Sequence, residues 1–113
     1  MSKGQKKGNS SQKPKAAPSS LKQVLIHLLK WQYQPQRRTK SWIDSITEHR
    51  RRLYQALERS PRLFEALRAR FEWEYTKARR KAAQETGIQL STFPRRPPFN
   101  LDQTLAFEWL PPE

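Results

Sequence analysis

Between Ser20 and Gln34 the chain places apolar side chains at Leu21, Val24, Leu25, Leu28, Leu29 and Trp31. At about 100° per residue these form one wide stripe, the signature of an amphipathic helix. Ser19 or Ser20 can cap its start, and Pro35 ends it. Ile26 and Tyr33 fall outside the stripe, so this helix is apolar on more than one side and wants cover on more than one side. A second stripe, Trp42, Ile43, Ile46, Leu53, Tyr54 and Leu57, predicts a helix to about Arg59. Ser41 as N-cap with Asp44 at N3 would start it as a variant capping box. A third, Phe64, Leu67, Phe71, Tyr75, Ala78 and Ala82, predicts the longest helix, from Pro61 to about Thr86. Ser60 caps it, Pro61 takes the first position, where its missing N–H costs nothing, and Gly87 suits the left-handed residue beyond its end.

The period is lost over residues 88–99, which hold three prolines; Ile88, Leu90 and Phe93 are expected to anchor an extended segment across the helices. Asn100 then caps a short helix from Leu101 to about Trp109, with Gln103 at N3, and Pro111 and Pro112 stop it. No segment alternates as a strand does. The expected fold is therefore all-α: a small bundle of three main helices plus a short C-terminal helix, over residues 21–113. Residues 1–20 hold five lysines, no acid and no apolar residue larger than alanine after Met1. Such a segment buries too little to offset its ordering entropy and reads as a disordered basic tail.

Charge sharpens the functional question. The chain has 23 Lys and Arg against 10 Asp and Glu, a net charge of +13. A surface of this sign attracts polyanions, whether nucleic acid, anionic lipid or an acidic protein. There are no cysteines, which excludes disulfides, thiol catalysis and Cys-based zinc sites. No apolar run reaches the ~20 residues that span a bilayer, and the N-terminus lacks the apolar core of a secretory signal, so a cytoplasmic protein with no membrane partner is expected.

Arg50 falls within the apolar stripe of the second helix, and Glu74 and Glu85 lie at the edge of the third. If these two helices fold back on each other at Ser60-Pro61, Arg50 comes within a turn of Glu74, and an interhelical pair is expected; otherwise Arg50 reaches out to water. His27 and His49 are expected to be solvated or hydrogen-bonded, not metal ligands or bases. The only glycines are Gly4, Gly8 and Gly87, so there is no glycine-rich phosphate loop. No catalytic residue, metal, cofactor or small-molecule substrate is expected. Arg37, Arg38, Lys40, Arg50, Arg51 and Arg52 lie near Trp31, Tyr33 and Trp42, and cations interleaved with aromatics can hold phosphates and stack bases. Arg79, Arg80 and Lys81 form a similar cluster. Either group also reads as a solvated cationic face, and Glu48, four residues before Arg52, neutralises part of the first.

The run His27-Leu28-Leu29-Lys30-Trp31-Gln32-Tyr33-Gln34-Pro35, followed by Arg37-Arg38, Ser41-Trp42, Arg50-Arg51-Arg52 and Ser60-Pro61, resembles the bacterial family called Domain of Unknown Function 29. Tyr75, Ala78-Arg79, Glu85-Thr86-Gly87, Ser91-Thr92-Phe93-Pro94, Pro98 and Trp109-Leu110-Pro111 extend the resemblance over about residues 21–112. It implies a small helical protein and supplies no activity, cofactor or catalytic residue. Members of the family usually begin with further acidic helices, in whose place this chain has a lysine-rich segment. The expectation that follows is a non-enzymatic subunit that binds another macromolecule. Nucleic acid, or an assembly containing it, is the polyanion expected on the basic rim. A protein partner or second copy is expected over Ile26, Leu29 and Tyr33. The alternative is a pure protein-interaction module, such as the neutralising member of a toxin–antitoxin-type pair.

Overall fold

In the computed structural model, residues 5–112 are described, with side chains from Ala17 onward. Helix α1 runs Gln5–Tyr33, α2 Lys40–Arg59, α3 Leu63–Thr86 and α4 Leu101–Leu105, with single 3-10 turns at Pro35–Arg37 and Leu90–Thr92. There is no strand among the described residues.

Helix α1 starts well before Ser20, so neither Ser19 nor Ser20 caps it. Residues 1–4 of the expected tail lie outside the described residues, and the boundary drawn at residue 21 falls within a continuous helix. Ala17 and Ser20 are buried, and this packing offsets the backbone hydrogen bond that Pro18 withholds from the ladder.

The arrangement of the three long helices differs from a simple hairpin of α2 and α3. Helix α1 packs against both α2 and α3, which barely meet each other. Apolar positions all around α1 dictate this: a helix that is greasy on two sides is best hidden between two others. Leu21, Val24, Leu25, Leu28 and Leu29 are fully buried, and Ile26 is only 1% exposed. Tyr33 is half-buried, with its ring edge against Phe93 at 5.1 Å. The expected external cover over Ile26 and Leu29 is thus corrected, because the chain encloses both, while Tyr33 stays half-buried.

Capping residues fix the remaining limits. The N-cap of α2 is Thr39, not Ser41: its hydroxyl accepts from the Trp42 N–H at 3.3 Å, and Asp44 pairs with Lys40 instead of closing a box. The buried face of α2 is Ile46, Arg50 and Leu53, narrower than its apolar stripe, and Ile43 and Tyr54 remain exposed. Helix α3 ends at Gly87, whose φ of 77° is the left-handed conformation that glycine adopts without strain. All of its expected stripe is buried except Phe64, which is half-buried.

Phe93 anchors the extended segment, whereas Leu90 is exposed and Ile88 half-buried. The Tyr75 hydroxyl donates to the Pro94 carbonyl at 2.6 Å, and Arg79 Nε donates to the Phe93 carbonyl at 3.0 Å, tying that segment to α3. Burial pushes the Tyr75 phenol well above its usual pKa, so it stays a donor. Asn100 and Gln103 form the expected capping box at the start of α4, which stops at Leu105, short of Trp109.

Candidate functional site

Arg50 is 1% exposed and is the largest fully buried side chain among the described residues. It does not meet Glu74. Because α1 separates the two helices, the guanidinium turns to the C-terminal end of α4 and donates to the carbonyls of Thr104 (2.8 Å), Phe107 (3.1 Å) and Gln103 (3.2 Å). Helix-end carbonyls lack partners within the helix and carry partial negative charge, so they suit a buried cation. Burial lowers Arg50 to about 10, which leaves it charged at neutral pH. Phe107 stacks on Tyr54 at 4.8 Å and covers the contact.

Glu74 is buried too, and its partners come from its own helix: Arg70 at 2.9 Å and Lys77 at 3.7 Å. Both cations also lie against the ring of Trp73, at 4.8 and 4.2 Å from its centre. Trp73 is 56% exposed, the most exposed large apolar side chain among the described residues. This cluster was missed because Trp73 lies off the apolar stripe of its helix. The signal was there in its position on the polar side, with Arg70 at i−3 and Lys77 at i+4.

Most of the expected cationic residues already hold partners within the chain. Arg38 donates through Nε to the Trp31 carbonyl at 2.9 Å and lies over the Trp31 ring at 4.7 Å, a fixed cation–aromatic unit at the end of α1. Arg37 is exposed on the adjoining turn. Lys40 pairs with Asp44 at 3.0 Å. Arg51 and Arg52 both bind Glu48, whose carboxyl they hold below the usual range. On α3, Arg79 is committed to Phe93, Lys81 reaches Glu85 at 4.0 Å, and Arg80 projects into solvent. Glu85 also pairs with Lys30 of α1 at 2.6 Å, and that bond holds its carboxyl low.

Both histidines have hydrogen-bond partners within the chain. His27 Nδ1 donates to the Gln23 carbonyl at 2.8 Å, and His49 Nδ1 lies 3.3 Å from the Ser20 hydroxyl. Burial lowers the pKa of both. Among the described residues no group of three or more His, Asp or Glu gathers as a metal site would require, and no helix is long and apolar enough to cross a membrane.

These elements define a small all-helical domain with a surface rich in arginine and lysine. A family model described as Domain of unknown function DUF29 matches residues 8–110, and the chain belongs to that family. The match starts ahead of the motifs at Leu21 and takes in much of α1. No curated protein and no solved structure matches the chain.

Proposed function

We propose that the protein is a non-enzymatic binding module for a polyanion, with nucleic acid, or an assembly containing it, as the partner. One observation carries this reading: exposed cations outnumber the acids open to neutralise them, since among the described residues only Glu58, Glu72, Asp102 and Glu108 are carboxylates in no ion pair. Asp44, Glu48, Glu65, Glu74 and Glu85 are each already bound to lysine or arginine. Arg37, Arg59, Arg62, Arg80, Arg95 and Arg96 are exposed and, among the described residues, lie in no ion pair. Phosphates along a nucleic-acid backbone are the matching pattern, and arginine binds them in bidentate fashion.

Within the expected basic rim, Arg37 and Arg80 contribute most, since Lys40, Arg51, Arg52 and Lys81 must give up or share a carboxylate first. The expected contact through an uncovered apolar face of α1, which the leading reading shared with the alternative of a pure protein-interaction module, is lost to both, because Ile26 and Leu29 are buried.

Filter binding of the full chain with mixed RNA and DNA tests the proposal. Retention is expected at low salt. It should fall roughly 50-fold between 50 and 200 mM salt if about four phosphates of a single strand are neutralised. Absence of retention at the lowest salt contradicts the proposal.

A further inference from the structure

We infer that the outer face of α3 is a platform for single-stranded nucleic acid, with Trp73 as its base-stacking element; this rests on the polyanion reading above and gives it a site. The face is defined by helical geometry. At about 100° per residue, Arg62, Arg70, Lys77 and Arg80 all lie within about 60° of Trp73, and the nearest acids, Glu65 and Glu72, lie about 80–100° away. Ala66 and Ala69 share the face and leave its surface low. From Arg62 to Arg80 the stripe is about 27 Å long at 1.5 Å per residue, room for several nucleotides. Glu74, the one carboxylate touching Arg70 and Lys77, is buried beneath the stripe and presents little negative charge to an arriving phosphate.

A face that serves only solubility needs charges and has no use for an indole. Here a tryptophan 56% exposed stands between two cations, each against its ring. Indole and cation together are what unpaired nucleotides require: a π surface for the base and a charge for the neighbouring phosphate. A cation that now rests on the ring can move to a phosphate as a base takes its place. Arg70 keeps its Nη2 bond to buried Glu74 at 2.9 Å, whereas Lys77, 3.7 Å from the same carboxylate, is the looser of the two cations and the one that shifts. A duplex keeps its base faces stacked inside and could use only the charges. An acidic peptide would likewise use the charges and leave the ring idle.

The test is fluorescence anisotropy of the full chain with a labelled mixed-sequence single-stranded oligonucleotide and with the corresponding duplex, at constant low salt. Trp73→Ala should weaken single-strand binding about tenfold or more and change duplex binding less than twofold. Trp73→Phe should retain most of the affinity, since a smaller ring still stacks. Trp73 is exposed, so both variants should melt as the wild type does. Lys77→Gln with Arg80→Gln should weaken both nucleic acids. The inference is overturned if the wild type binds single strands and Trp73→Ala binds them equally well. It is also overturned if single strand and duplex lose affinity in parallel, or if polyglutamate competes as well as an oligonucleotide of equal charge. A wild type that binds neither nucleic acid removes the broader proposal along with this one.

Discussion

Helices α2 and α3 flank the same central helix and are both rich in arginine, yet their outer faces are built differently. On α2 every exposed cation but Arg59 is answered locally: Asp44 takes Lys40, and Glu48 takes Arg51 and Arg52. On α3 the carboxylate nearest the exposed cations is buried, and Trp73 stands among them. Composition does not separate the two helices. What separates them is the middle of each face: Glu48 answers Arg51 and Arg52 from the solvent side, whereas Glu74 answers Arg70 and Lys77 from beneath, at spacings that bring side chains together on a helix. A run such as Arg50-Arg51-Arg52 therefore overstates the free charge of α2, whereas single cations spread along α3 understate what that face offers.

The contrast is sharpest within α2 itself, where Arg50 points inward and Arg52 outward. Arg50→Ala should cost about 2–4 kcal/mol, because it strips partners from three carbonyls at the end of α4 and leaves a hole beside Tyr54 and Phe107. Arg52→Ala, which loses only an exposed ion pair, should stay within about 0.5 kcal/mol. Urea unfolding of both variants checks this, and equal costs would mean that the α4 contact adds nothing.

Acid probes the layer between α1 and α2. His27 and His49 are held below their ordinary value of 6.5, first of all by burial. The fold thus favours their neutral forms, and between the folded and unfolded pKa values the unfolded chain binds more protons. Their contribution should be complete above about pH 6.5 and diminish as pH falls below it. Glu48 and Glu85 are lowered from 4.5, so their contribution is lost only at more acid pH. Urea midpoints between pH 8 and pH 5 should decline below pH 6.5, and replacing both histidines by glutamine should flatten that decline.

The smallest expected effect bears on the comparison directly. Glu48→Gln releases Arg51 and Arg52, making α2 more like α3, and should raise affinity for a single-stranded oligonucleotide about two- to threefold at low salt. Anisotropy titration measures this; unchanged affinity would mean that α2 stays outside the contact even when its arginines are released.

Local chemistry was largely legible in the sequence. Gly87, the Asn100–Gln103 capping box and the buried stripe of α3 stand where side-chain type and spacing put them, because each depends on residues within a few positions of one another. Long-range placement was not legible. Apolar positions around α1 announce that two sides need cover, but not whether α2 and α3 supply it or another chain does. That ambiguity misassigned Ile26 and Leu29 to an interface and paired Arg50 with Glu74 across a hairpin that α1 interrupts. Backbone carbonyls carry no sequence signature, so the partners of Arg50 could not be read. Thr39 was passed over because Ser41 offered an equally good capping hydroxyl two residues later. Trp73 was legible in principle, as an aromatic on the polar side of an otherwise regular helix.

The claim that binding belongs to α3 is tested most directly by the salt dependence of affinity for a single-stranded oligonucleotide in two charge-reversed proteins. Each phosphate contact contributes about 0.7 to the slope of log K against log salt. Lys77→Glu with Arg80→Glu should therefore flatten the slope by about 1.4, while Arg51→Glu with Arg52→Glu should leave it near the wild-type value. Equal slopes in the α3 variant and the wild type, or flattening confined to the α2 variant, would contradict the account.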